Sequence, residues 1–184
     1  MLKRHLAVKL IFPYIGNVLT EPRMNMATGS VVLQGPPYGR YGYGELLASG
    51  GKYSANEVPF NELVGLESKT YLPKLPKYLW GHCAVQIDTY RFMILGGFDG
   101  GRYRHETSIY NWRTEVWTDG PPMVDSRYGF GCTKVKVGYK DYILAAGGNN
   151  PDTFVNADKS VEYLDVSDMD SGWVRGHDLP RKNK

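Results

Sequence analysis

Several features that mark common classes of protein are scarce in this sequence. The chain of 184 residues has two cysteines, four histidines and a formal net charge of only +3. Its lysines and arginines are scattered except at the two ends, so there is no basic stripe of the kind that binds nucleic acid. No run approaches the roughly 20 apolar residues of a membrane-spanning helix. We therefore expect neither nucleic acid nor a membrane as a partner.

Motifs for metal binding and catalysis are missing as well. The histidines form no H-x-H or H-E-x-x-H pattern, and there is no Cys-x-x-Cys pair. Neither G-x-S-x-G nor a phosphate-binding G-x-x-x-x-G-K-[ST] loop occurs. Asp125 and Ser126 are adjacent, but both residue types are common in turns. We expect no enzyme activity, no bound metal and no cofactor.

Glycine and tyrosine, by contrast, are abundant, with 22 and 14 copies. Short apolar runs such as "FMIL", residues 92–95, are bounded by glycine and proline. No apolar stripe with the helical period of 3.6 residues follows them. This pattern predicts many short β-strands and little helix.

A glycine pair recurs after three apolar runs, at intervals of about 50 residues. Gly-Gly follows "ELLAS" at residues 50–51, "FMIL" at residues 96–97 and "YILAA" at residues 147–148. After the second and third pairs come a tyrosine, a tryptophan and a proline in the same order: Tyr110, Trp117 and Pro121, then Tyr163, Trp173 and Pro180. The pattern indicates a structural repeat and not a phosphate-binding loop.

The repeat resembles the kelch family, whose units end with Trp and Pro and place Gly-Gly after the second strand. The match is good over residues 77–180 and weak over residues 23–76, where "PRMNMATGSVVL" and "YGELLASGG" are the candidate strands. The resemblance implies an all-β fold, a partial β-propeller of about three to four four-stranded blades. Its segments are a degenerate blade over residues 21–76 and blades over 77–126 and 127–184, with residues 1–20 unassigned.

The same resemblance places large rings between neighbouring blades, at Tyr110, Trp117, Tyr163 and Trp173. When Val85 is matched to Val135, the two cysteines fall at positions of opposite parity. We therefore expect two buried thiols and no disulfide. With the absence of an N-x-[ST] sequon, this favours a cytoplasmic protein.

The number of blades suggests that the propeller is incomplete. About four blades of 40 to 50 residues fit into the chain, fewer than closed kelch propellers usually have. We expect a fragment of a longer protein; the alternatives are that two chains complete a ring or that the N-terminal segment adds a degenerate blade. Open blade faces would expose apolar surface, which favours self-association.

Function is implied by the loops that line one rim of a kelch propeller, where the family binds partner proteins. Arginine and tyrosine, both typical interface anchors, are frequent in these loops. The candidate partner-binding residues are Arg102, Tyr103, Arg104, His105, Arg127 and Tyr128. Arg104 and Arg127 are expected at the same end, where they suit an acidic peptide. For Arg127, a structural role bonding blade carbonyls is the alternative, and for residues 102–105 a plain solvated loop.

The resemblance thus implies a protein-interaction module, as in the substrate receptors of cullin-type ubiquitin ligase adaptors. The BTB and BACK domains that precede the blades in such adaptors are not visible in this sequence. Two alternatives are an actin-associated structural protein and a fragment of a propeller-scaffold enzyme, such as a secreted copper-radical oxidase.

Overall fold

The computed structural model describes residues 74–149 and 159–180, and the backbone of six strands between residues 27 and 72. The described part is almost entirely β, and its one helical segment is a 3₁₀ turn, Met169–Ser171. This confirms the predicted all-β fold for these residues. Among them, no helix has the length and apolar character that crossing a membrane requires. The segment 1–20, the first glycine pair and most of the loop at 149–160 lie outside the described residues.

The strands are short, as the spacing of glycine and proline predicts. In chain order they are β1 (Ala27–Val32), β2 (Gly44–Ser49), β3 (Lys52–Tyr53), β4 (Asn56–Glu57), β5 (Asn61–Val64), β6 (Lys69–Leu72), β7 (Cys83–Gln86), β8 (Arg91–Phe98), β9 (Tyr103–Asn111), β10 (Val116–Gly120), β11 (Gly131–Val137), β12 (Lys140–Ala146), β13 (Val161–Asp165) and β14 (Val174–Arg175).

Three antiparallel sheets of four strands each are formed, and the strands of each sheet follow one another in chain order. The first sheet has the order β1-β2-β5-β6, the second β7-β8-β9-β10 and the third β11-β12-β13-β14, and β3 pairs with β4 as a separate hairpin. Strand β7 is close to both β1 and β11. The leading strands of the three sheets are therefore neighbours. The strands of the sheets fall within the predicted segments 21–76, 77–126 and 127–184.

The larger core lies between the second and third sheets. Met93 and Leu95 of β8 pack against Ile143 of β12 and Leu164 of β13, and all four side chains are buried. Trp173 closes this core, and its indole N–H donates a hydrogen bond to the carbonyl of Pro121, 2.9 Å away. We call the face of the third sheet that joins this core its inner face, and the opposite face its outer face.

A second core lies on the other face of the second sheet. Phe92, Ile94 and Tyr110 form it together with Trp112, and Trp117 packs against it. The Trp117 ring is 5.6 Å from that of Phe92 and 5.0 Å from that of Tyr110. Because β8 is buried on both faces, its sequence is a continuous apolar run and does not alternate with polar residues.

The second and third glycine pairs occupy the same point in their sheets. Leu95, just before the second pair, lies opposite Cys83, and Ala146, just before the third, lies opposite Gly131. Gly97 and Gly148 both have a positive φ, 99° and 91°. A Cβ on Gly97 would lie 2.8 Å from the Cβ of His82. The glycine therefore lets the chain leading into β7 approach the end of β8.

The tyrosines of the repeat do not correspond as predicted. Strand pairing sets Tyr163 opposite Leu144, whereas Tyr110 lies opposite Phe92. When the two sheets are aligned on their glycine pairs, Tyr163 corresponds to the residue before Tyr110. One residue along a strand reverses the direction of the side chain, so Tyr163 lies on the outer face, where its ring is 5.8 Å from that of Tyr142.

The expectation of two free thiols is wrong, because Cys83 and Cys132 form a disulfide. Cys83 shares a face with its partner Leu95, and Cys132 shares one with Ala145, and both of these faces line the core between the two sheets. When two sheets stack, the side chains that meet come from opposite sides of the two equivalent sheets. Those side chains occupy positions of opposite parity in the repeat, so opposite parity permits the bond. The match of Val85 to Val135, made from the sequence, is also two residues away from the register that the strand pairing shows.

We predict that breaking this disulfide destabilises the protein. The bond joins cysteines 49 residues apart, and closing a loop of that length stabilises the folded state by about 2–4 kcal/mol, mainly by restricting the unfolded chain. Urea unfolding with and without a reductant measures the difference. The double variant Cys83→Ser, Cys132→Ser should show the lower stability in both conditions. Equal stability of the oxidised and reduced wild-type protein would contradict the prediction.

Candidate functional site at one end of the second sheet

The candidate site lies where β8 turns into β9. The turn spans residues 99–102, and the Asp99 carboxylate accepts hydrogen bonds from the N–H groups of Gly101 and Arg102, at 3.0 and 2.9 Å. Aspartate commonly holds turns in this way. The turn sets the direction in which the first residues of β9 leave the sheet.

An ion network follows the turn. The Arg104 guanidinium pairs with Asp99 and with Glu106, at 3.0 Å for the latter, and Arg102 pairs with the same Glu106 oxygen at 2.8 Å. The Arg104 side chain is 15% exposed, whereas that of Arg102 is 66% exposed. Arg104 is thus committed to two carboxylates of its own chain, while Arg102 remains open to solvent on one side.

The two carboxylates of this network are held in the charged form. Burial acts to raise the pKa of Asp99, but the N–H groups of Arg102 and Gly101 and the Arg104 guanidinium outweigh it and lower the pKa to about 2. Burial likewise acts to raise the pKa of Glu106, and a backbone hydrogen bond and Arg104 bring it below its ordinary value. The network therefore persists at neutral pH.

Four aromatic side chains gather beside the ion network, and we call them the rim cluster: Trp80, Phe98, Tyr103 and Tyr128. The ring of Phe98 lies 5.1 Å from that of Trp80 and 5.2 Å from that of Tyr103. Tyr128 lies 5.9 Å from Tyr103 and 6.4 Å from Phe98. Edge and tilted contacts of this kind stabilise an aromatic group beyond the area that it buries.

A glycine makes room for the rim cluster. Gly81 has a φ of +62°, and a Cβ there would lie 2.3 Å from the ring of Tyr128. Its carbonyl accepts a hydrogen bond from the N–H of Gly129, at 2.7 Å. The segment that leads into the second sheet is thereby attached to the segment that leads into the third.

Arg127 lies at the same end as Arg104 but is not on the surface. Its N–H donates to the carbonyl of Arg104, and its carbonyl accepts from the N–H of Gly97, at 3.0 and 2.8 Å. Its guanidinium donates to Glu162 and to the carbonyl of Gly147, both at 2.8 Å. The side chains of Arg127 and Glu162 are both 0% exposed. The predicted partner-binding role of Arg127 is therefore corrected, because its buried side chain is inaccessible to a partner.

The remaining donors and acceptors of this buried group are also paired. Arg127 donates to the Ser160 hydroxyl at 2.7 Å and to its carbonyl at 3.1 Å. The second oxygen of Glu162 accepts from the N–H of Val124 at 2.6 Å. Asp125 pairs with Arg127 at 3.4 Å and, on its exposed side, with Arg175. The geometry fits the structural alternative for Arg127, and pairing of all these groups offsets the cost of burying the charges.

Sequence reasoning missed Glu162 and Asp125. Glu162 lies in the strand "VEYLD", where a glutamate between apolar residues is ordinarily read as pointing to solvent. Asp125 was interpreted as a plain turn residue. One signal was available for Glu162. Side chains alternate along β13, and this alternation places the glutamate on the inner face of the sheet, opposite Ala145.

The six predicted binding residues thus meet at one end, but they differ in access. Arg102 and His105 are exposed, and Tyr103 and Tyr128 are half-buried in the rim cluster. Arg104 is engaged in ion pairs, and Arg127 is buried. Four of the six residues remain as a surface, which we call the rim patch: Arg102, Tyr103, His105 and Tyr128.

Comparison with known proteins adds no relative: no protein-family model and no curated protein matches the sequence. Among the described residues, no group of three or more His, Cys, Asp or Glu side chains is arranged to hold a metal ion. The resemblance to kelch proteins therefore remains an expectation drawn from the sequence motifs.

We predict that Arg127→Lys destabilises the protein by about 1–3 kcal/mol, the usual effect of leaving buried hydrogen-bond groups without a partner. A lysine has no planar fork of donors, so it leaves some of Glu162, Gly147 and Ser160 without a partner. Arg175→Lys is the matched control, because that side chain is 57% exposed and also pairs with Asp125. It should cost at most about 1 kcal/mol. Similar losses in the two variants, measured by urea unfolding, would show that burial is not decisive.

We also predict that stability falls in mild acid because of His82. Burial lowers its pKa from 6.5 to about 3, so the unfolded chain binds a proton between these values that the folded chain does not. The free energy of unfolding should drop by about 2 kcal/mol between pH 7 and pH 5. His82→Gln should reduce this drop. Asp99 does not interfere, since its stabilisation is lost only as the pH falls below 3.8 and through about 2. An identical pH dependence in the two proteins would contradict the assignment.

Proposed function

We propose that the chain is a protein-interaction module in which the three four-stranded sheets are successive blades of a kelch-type propeller. Two observations support this. The leading strands β1, β7 and β11 are neighbours, as they are around a propeller axis. The glycine pairs at 96–97 and 147–148 occupy the same register position in two successive sheets.

The rim patch carries the proposal of a binding role. Tyr103 and Tyr128 present partly exposed rings that are held by Phe98 and by each other. Rings fixed in this way lose little conformational freedom when a partner binds. Arg102 directly precedes Tyr103 in the chain, and its side chain is 66% exposed. Tyrosine and arginine together form the typical centre of a protein interface.

The arrangement also defines the kind of partner. Arg104 and Arg127 were expected to bind an acidic peptide together, but both are committed to carboxylates within the chain. Arg102 alone remains to meet a carboxylate, and the two tyrosines offer apolar contact. We propose as partner a short peptide segment with one acidic side chain next to an apolar or aromatic one.

A compact patch suits a short segment better than the broad surface of a filament. It therefore favours a substrate-receptor role, as in ubiquitin ligase adaptors, over actin association. For the enzyme alternative we can name no set of converging polar groups in the described residues, and we propose no catalytic role.

The compartment needs separate consideration. The cytoplasm was expected partly because the two cysteines were taken to be free. Disulfides persist mainly in oxidising compartments, so the bond between Cys83 and Cys132 weighs against a cytosolic adaptor and favours an interaction module in an oxidising compartment. Recovery of the protein from its cells with both thiols open to alkylation would restore the cytoplasmic proposal.

We predict that rim variants lose peptide binding. Peptides selected from a random display library against the wild-type protein are the probe. Tyr103→Ala should weaken their binding by about thirtyfold, as expected for a central interface residue. Arg102→Glu should slow association and reduce the dependence of affinity on salt. Affinities are measured by titration at two ionic strengths.

The matched controls lie at the opposite end of the second sheet. Tyr90 precedes β8 and is exposed, and Arg113 follows β9 and lies over the Tyr90 ring at 5.3 Å. Tyr90→Ala and Arg113→Glu should leave the affinity unchanged. If the controls weaken binding as much as Tyr103→Ala, or if neither rim variant does so, the rim patch is not the binding surface.

A further inference from the structure

The outer face of the third sheet is mostly apolar. Cross-strand pairing aligns Leu144 with Tyr163, and Tyr163 with Val174, on this face. The neighbouring row pairs Val135 with Tyr142. The surface thus extends over all four strands of the sheet, from β11 to β14, and Val174 at its edge is 46% exposed.

This surface repeats a face that is covered elsewhere in the same chain. Counted from the glycine pairs, Leu144 and Tyr163 match Met93 and Ile109 of the second sheet, which pair with each other in the same way. Met93 and Ile109 are buried under the inner face of the third sheet. The outer face therefore occupies the position at which, in the second sheet, a neighbouring sheet covers the apolar side chains.

The charges on the outer face cancel within the chain. Lys140 and Asp165 lie on this face opposite Val137 and Tyr142, and they pair with each other at 2.7 Å. Hydrogen bonds from Lys140 and Ser167 lower the pKa of Asp165 to about 2, so the pair persists at neutral pH. The other strand residues of the face are uncharged. Two identical copies of the face therefore meet without repulsion between like charges.

We propose that two copies of the chain associate through the outer faces of their third sheets, as a closed two-fold dimer. In such an isologous contact both copies use the same surface, so the apolar face is fully consumed and the assembly stops at two. Face-to-face sheets pack with their strands about 30° apart and their side chains interdigitated. The dimer specifies which open face self-associates, and it does not depend on the rim patch, none of whose residues lies in a strand of the third sheet.

The test is the molar mass of the full chain by sedimentation over a range of micromolar concentrations. The wild-type protein should reach twice the monomer mass. Val174→Arg should raise the Kd of the dimer by at least about a hundredfold, because it places an unpaired charge in the contact. Val137→Arg, in the same face, should act in the same direction. Both valines are exposed, so neither change disturbs the core.

The control is Val116→Arg, which makes the same change at a valine of β10 that is 51% exposed in the second sheet. It should leave the Kd of the dimer unchanged. A wild-type protein that stays monomeric overturns the proposal, as does a series of oligomers that grows with concentration, which indicates a head-to-tail contact. Equal weakening by Val116→Arg and Val174→Arg also overturns it. Peptide binding at the rim is measured separately, so either proposal can fail alone.

Discussion

The buried ion pair between Arg127 and Glu162 is the interaction on which the junction of the second and third sheets depends. The backbone of Arg127 bonds to Gly97 and Arg104 of the second sheet, while its guanidinium bonds to groups of the third. One residue thus attaches two sheets that share no strand. Because an unpaired charge in this position would be costly, the pair also enforces one relative placement of the sheets.

That placement explains the other contacts between the two sheets. Once the faces are stacked, Cys83 of β7 and Cys132 of β11 point toward each other, so the disulfide joins the leading strands of the two sheets. The indole of Trp173 reaches the carbonyl of Pro121 across the same core. The glycine pairs let the chain that leads into each sheet approach closely, which keeps the stacking compact.

The same junction builds the rim. Tyr128 follows Arg127 directly, so fixing the arginine in the core also fixes the tyrosine against Phe98 and Tyr103. A surface made in this way is rigid, which suits recognition by shape and apolar contact. The arginines that looked most suited to binding instead stabilise the turn and the junction, and the exposed charge is reduced mainly to Arg102. The proposed binding surface and the stabilising contacts therefore use neighbouring residues of one segment.

The sequence by itself determined the β class, the repeat and the end of the sheet at which the arginine and tyrosine loops lie. These depend on local chemistry: apolar runs that end in glycine pairs, and glycines with positive φ. Only the tertiary structure decided the burial of Arg127, since its acceptors lie 20 to 35 residues further along the chain. It also decided the cysteine bond and the outward direction of Tyr163. Both depend on which faces meet and on a register in which one residue reverses every side chain.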